Sequence, residues 1–66
     1  MATLFGENLK IIRQERRISQ DDLAKHLRVS RKTVSHWETG YSEPSIDQLR
    51  AMAKFFEVTC DELING

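Results

Sequence analysis

The chain has 66 residues, ten Lys or Arg against ten Asp or Glu, and a single cysteine. That length allows one domain near the lower limit for folding without staples, so the core must be efficient and mostly helical, and Cys60 excludes an internal disulfide. No secretion signal or apolar run long enough to span a bilayer is visible, which fits a reducing cytoplasm, while the zero net charge argues on its face against a polyanion partner.

Five helices and no strands are expected. The first runs from about Gly6 to Arg16, with Leu9 and Ile12 inward, Phe5 a further inward candidate, and Ile18 closing the connection. Ser19 can accept from the unpaired N–H groups of a second helix, whose start carries Gln20, Asp21 and Asp22 at the positive end of the dipole. Leu23, Ala24 and Leu27 then share a face, and the small side chain of Ala24 suits a close helix crossing. After a break at Arg28 and Val29, Ser30 repeats the capping role for a third helix with Val34 and Trp37 buried. The other face of that helix holds Arg31, Lys32, Thr33, Ser35 and His36.

Gly40 suits a helix end, and Pro44 discourages helical geometry at Glu43. Ser45-Ile46-Asp47-Gln48 fits a capping box that opens a fourth helix with Ile46, Leu49, Met52, Ala53 and Phe56 on one face. Thr59-Cys60-Asp61-Glu62 is a second capping box, opening a short fifth helix with Leu63 inward. The expected core is Leu9, Ile12, Leu23, Ala24, Leu27, Val34, Trp37, Leu49, Ala53, Phe56 and Leu63.

Charge is unevenly placed. Residues 8–37 hold eight Lys or Arg (Lys10, Arg13, Arg16, Arg17, Lys25, Arg28, Arg31, Lys32) against three acids, Glu15, Asp21 and Asp22. Residues 38–66 hold two, Arg50 and Lys54, against six acids. Such a split orients a molecule toward a polyanion, although ordinary solvated helix faces produce it as well.

Residues 19–40, with Leu9, Arg13, SQDDLA, the VS of the turn, WETG, EPS and the terminal VTCDELING, resemble the phage repressor and Cro (Xre-like) helix-turn-helix family over most of the chain. The resemblance implies an all-α, five-helix repressor-like DNA-binding domain over 1–66, its helix-turn-helix motif at about 19–39. Carried over by position, it places Arg31, Lys32 and His36 against base edges, Ser30 and Thr33 near the groove edge, and leaves Ser35 open. Either Arg31 or Lys32 would meet guanine. Gln20 would hold a phosphate at the start of the second helix, with Tyr41, Ser42 and Ser45 as further phosphate donors. For Ser45, cap chemistry is an equally good reading. Arg13 and Glu38 would form a structural ion pair, and Trp37 is a core residue rather than a base-stacking one. Three positions where relatives often carry glycine hold Arg17, Arg28 and Glu57. Either they keep a left-handed backbone at a cost on the order of 1 kcal/mol each, or the connections have adjusted.

The function implied is sequence-specific binding of a double-stranded DNA operator as a transcriptional regulator. A domain this small reads few base pairs, so a homodimer on a palindrome is expected, with its contact near Phe55, Val58, Cys60, Asp61 and Ile64. The alternative is an interaction module for a protein partner, such as a toxin or anti-repressor, with DNA incidental. No cofactor or small-molecule ligand is evident. His26, His36 and Cys60 lack zinc spacing, so no metal site is expected. No nucleophile lies beside a base, and an enzyme is not expected.

Overall fold

The computed structural model describes residues 4–66, so Met1, Ala2 and Thr3 of the expected 1–66 domain lie outside the described residues. Five helices follow one another: α1 Leu4–Glu15, α2 Gln20–Leu27, α3 Arg31–Thr39, α4 Ile46–Phe56 and α5 Cys60–Asn65. No strand occurs among the described residues. The α1 helix includes two residues before the expected Gly6 and ends at Glu15, one residue before the expected Arg16.

Each of the last four helices begins with the cap read from the sequence. Ser19 Oγ accepts from the N–H of Asp22 at 3.0 Å, and Ser30 Oγ accepts from that of Thr33 at 3.1 Å. Ser45 and Gln48 form the full capping box: Gln48 N–H donates to Ser45 Oγ at 3.1 Å, and Ser45 N–H donates to Gln48 Oε1 at 2.8 Å. Thr59 and Glu62 repeat it. Each such cap satisfies donors that the first turn leaves unpaired, and stabilises the helix by about 1 kcal/mol.

The connections are left-handed. Arg17, Arg28 and Glu57 have φ of 56°, 60° and 58°. Arg28 N–H then donates to Lys25 O and Val29 N–H to Ala24 O, closing α2 and turning the chain into Ser30 within two residues. Glu57 and Val58 close α4 in the same way, against Lys54 O and Ala53 O. The turn geometry typical of glycine is therefore kept with side chains in place, at the cost of on the order of 1 kcal/mol per residue.

The α3 helix packs against α1 and α2, while α5 lies against α1 and α4. Leu9, Leu23, Ala24, Val34, Trp37, Met52, Ala53, Phe56 and Leu63 form the buried core. Ile12, Leu27 and Leu49, expected within it, are half-buried and pack against its margin; Phe5, Ile18, Val29 and Val58 do the same. Ile46, placed on the apolar face of α4 but outside the expected core, is exposed. It sits in the first turn of α4 at the edge of the Leu49, Met52, Ala53 and Phe56 stripe, and 68% of it stays in solvent.

Gly6 is buried because α1 crosses α3 there at backbone distance. A Cβ on Gly6 would lie 2.5 Å from Glu38 O and 2.6 Å from Trp37 O, so a side chain at this position would force the two helices apart. Beside that crossing lies the expected ion pair. Arg13 Nε donates to Glu38 Oε2 at 2.6 Å and Nη2 donates to Oε1 at 3.2 Å, while Nη1 donates to Ile18 O at 2.9 Å. One guanidinium thus joins α1, the loop before α2 and the end of α3. Among the described residues, no buried side-chain polar atom lacks a partner.

Candidate nucleic-acid interface

The tight turn through Arg28 and Val29 sets the start of α2 beside the leading end of α3. Gln20, Arg31, Lys32, Ser35 and His36 line one shallow depression there. Arg31 and Lys32 are exposed, while Gln20, Ser35 and His36 are half-buried. Long cationic side chains at the rim and shorter donors on the floor give a concave, positively charged surface with both rigid and adaptable hydrogen-bonding groups. Ser35, whose place the sequence left open, belongs to this surface.

The remaining expected contacts border it. Tyr41 is 79% exposed and its ring lies against His36 with centroids 4.5 Å apart, while its backbone N–H donates to His36 O at 2.9 Å. Ser42 is half-buried in the same loop, with its N–H directed to His36 O at 3.3 Å. Ser30 and Thr33 share a hydroxyl–hydroxyl hydrogen bond of 2.9 Å, which ties both to the cap of α3. Ser45 is exposed, and its hydroxyl caps α4.

Two contacts in this region were not legible in the sequence. Gln20 Nε2 donates to Glu38 Oε1 at 3.0 Å, so the buried Arg13–Glu38 pair also orients the carboxamide at the mouth of the depression. A carboxylate accepts only, which fixes the amide nitrogen toward it and leaves one amide hydrogen and the amide oxygen for a ligand. Asp21, read only as a helix-start charge, brings Oδ1 to 3.8 Å from Arg31 Nε. The basic front is also weaker than a count suggests, because Arg13 is buried against Glu38. Arg16 lies over the Phe56 ring, with 5.9 Å from its guanidinium carbon to the centroid.

The C-terminal residues expected at a subunit contact face different neighbours. Phe55 stacks on His26 with centroids 4.1 Å apart. Val58 lines a groove with Ile11, Ile12 and Glu62, and Ile64 lies beside Phe5, Pro44 and Leu49. Cys60 is half-buried, and exposed Asp61 accepts from Asn65 Nδ2 at 2.7 Å. Among the described residues there is no group of His, Cys, Asp and Glu placed to hold a metal ion. Nor is any helix long and apolar enough to cross a membrane.

Two short capped helices in a tight crossing, with polar side chains on the leading edge of the second, define a helix-turn-helix domain of the repressor type. The chain belongs to the helix-turn-helix family, whose model matches residues 9–63, and its relatives are of the phage repressor and Cro (Xre-like) kind. It is 42% identical over 62 residues to the HTH-type transcriptional activator BcrR of Enterococcus faecalis, covering 94% of this chain and 30% of that protein. It is 33% identical over 63 residues to repressor protein C2 of Salmonella phage P22, covering 96% of this chain and 29% of that one. The crystal structure of the P22 c2 repressor in complex with a synthetic operator superposes with a TM-score of 0.88 at 33% identity, over 97% of both chains. A transcriptional regulator from Listeria innocua gives a TM-score of 0.90 at 29% identity, over 100% of this chain and 62% of that one. The chain spans less than two thirds of the first curated relatives it matches, 30% of BcrR and 54% of YqaE from Bacillus subtilis.

Proposed function

We propose that this chain binds double-stranded DNA sequence-specifically as the operator-reading part of a transcriptional regulator. The observation that carries the reading is the single depression uniting Gln20, Arg31, Lys32, Ser35 and His36 at the leading end of α3. In this reading α3 enters the major groove, Arg31, Lys32 and His36 read base edges, and Ser30, Thr33 and Ser35 lie along the groove wall. Gln20 holds a phosphate through its remaining amide hydrogen and the first-turn N–H groups of α2. Tyr41, Ser42 and Ser45 flank it on the next phosphates. The P22 c2 repressor, which shares the fold, is seen with operator DNA, and this supports the assignment.

The domain acts as a homodimer on a palindromic operator, because one α3 reads only a few base pairs and two-fold symmetry doubles the readout. The subunits meet near α5, through some of Phe55, Val58, Cys60, Asp61 and Ile64. The protein works in the cytoplasm of a bacterial or phage-infected cell, at the nucleoid, where occupation of the operator excludes or recruits polymerase.

Selection of bound duplexes from a random pool tests this. The expected product is a two-fold symmetric site with half-sites about one helical turn apart, bound with a steep loss of affinity as salt rises. Recovery of no shared sequence, with binding to a protein partner intact, would contradict it and favour an interaction module.

A further inference from the structure

An acid on a surface that meets phosphates lowers affinity for every duplex, so Asp21 calls for a reason. It is the second residue of α2, next to Gln20, and it is exposed. Favourable charge at the start of α2 does not require it, since Asp22 follows in the same turn and is tied into the cap through Ser19. Its carboxylate instead reaches across the turn to Arg31, with Oδ1 3.8 Å from Nε.

The side of the guanidinium that it faces is informative. A guanine is recognised by two parallel N–H groups directed at O6 and N7, and a guanidinium offers such a pair both along its Nε flank and at its Nη1/Nη2 end. With a carboxylate beside Nε, the Nη1/Nη2 end is the edge left available to a base. At 3.8 Å the contact is electrostatic rather than a closed hydrogen bond, so it restricts Arg31 without locking it. In water such an exposed pair contributes little. Docking on DNA excludes water and strengthens it.

Resting on the reading of α3 as the base-reading helix, we propose that Asp21 is a specificity-determining positioning residue that aims the Nη1/Nη2 edge of Arg31 at a guanine and disfavours duplexes on which Arg31 finds none. On a matched site the carboxylate faces an ordered cation that also contacts the base. On a mismatched site Arg31 swings to the phosphates, and Asp21 is left facing the polyanion.

The test is a double-mutant cycle on the full chain with Asp21→Asn, Arg31→Ala and the double variant. Dissociation constants are measured on the selected duplex and on one altered at the base pair whose preference Arg31→Ala abolishes. Thermal melting of each variant confirms that the fold is kept. Asp21→Asn is expected to tighten the altered duplex by roughly threefold and to reduce discrimination at that one base pair by about three- to tenfold. In the Arg31→Ala background it should leave discrimination unchanged. An equal gain on both duplexes, or an effect that persists without Arg31, would overturn the positioning role while leaving the base-reading helix intact. A wild-type chain that discriminates among no duplexes would overturn both.

Discussion

Arg13–Glu38 and Arg31–Asp21 are both arginine–carboxylate pairs, in two settings. The first closes at 2.6 Å with side chains 11% and 4% exposed; the second stands at 3.8 Å with 69% and 65% exposed. Burial removes the alternatives that water offers, so the inner pair must be complete: Arg13 and Gln20 between them donate three hydrogen bonds to Glu38. The outer pair keeps its solvent and its freedom. One arginine is thereby committed to tying α1 to the end of α3 and to the loop before α2, and the other stays available to a ligand.

The strongest way to break this comparison is to remove Glu38. Glu38→Ala leaves the Arg13 guanidinium buried beside the core and should cost about 3 to 5 kcal/mol in urea denaturation. A loss below about 1 kcal/mol would mean that Arg13 finds solvent without the carboxylate, and the two pairs would then be alike. Gly6→Ala probes the same crossing from the other side. The added methyl group meets the Trp37 and Glu38 carbonyls, which are backbone and cannot rotate away, so a loss of about 1 to 3 kcal/mol is expected. Little change in melting temperature would show that α1 shifts freely on α3. Glu57→Gly addresses the strained turn between α4 and α5, which has the same left-handed backbone as the turns at Arg17 and Arg28. Relief of the left-handed backbone, partly offset by the larger freedom of glycine in the unfolded chain, should raise stability by at most about 1 kcal/mol. A loss would place the worth of Glu57 in its side chain. Arg31→Ala should change stability by less than about 0.5 kcal/mol, because the outer pair is solvated. A larger change in unfolding free energy would assign Arg31 to the fold.

What the sequence made legible follows the range of the interaction. Ser19, Ser30, Ser45 and Thr59 act on N–H groups three residues away, so a local pattern reveals them. The stripe of Leu23, Ala24, Val34 and Trp37 is visible because helical periodicity repeats within each short segment. Arg13–Glu38 bridges 25 residues and was reached only through family resemblance, since no local pattern pairs those positions. The Gly6 crossing, the Asp21–Arg31 contact and the Gln20–Glu38 hydrogen bond are not legible in the sequence. Each depends on the distance between elements: a backbone crossing at Glu38, a turn that brings α2 to Arg31, and a carboxylate shared between helices. Ile46 shares the apolar face of α4 yet stays exposed, because periodicity gives the direction of a side chain and not whether a neighbouring element extends far enough to cover it.

The central proposal is that the leading edge of α3 reads sequence while Gln20, at the start of α2, grips the backbone. It is tested most directly by the affinities of Arg31→Ala, Lys32→Ala, His36→Ala and Gln20→Ala on a matched and a mismatched duplex at one fixed salt concentration. The α3 variants should each lose about 1 to 3 kcal/mol on the matched duplex and much less on the mismatched one, whereas Gln20→Ala should weaken both to a similar degree. Equal losses on both duplexes for the α3 variants, together with a changed sequence preference for Gln20→Ala, would contradict the account.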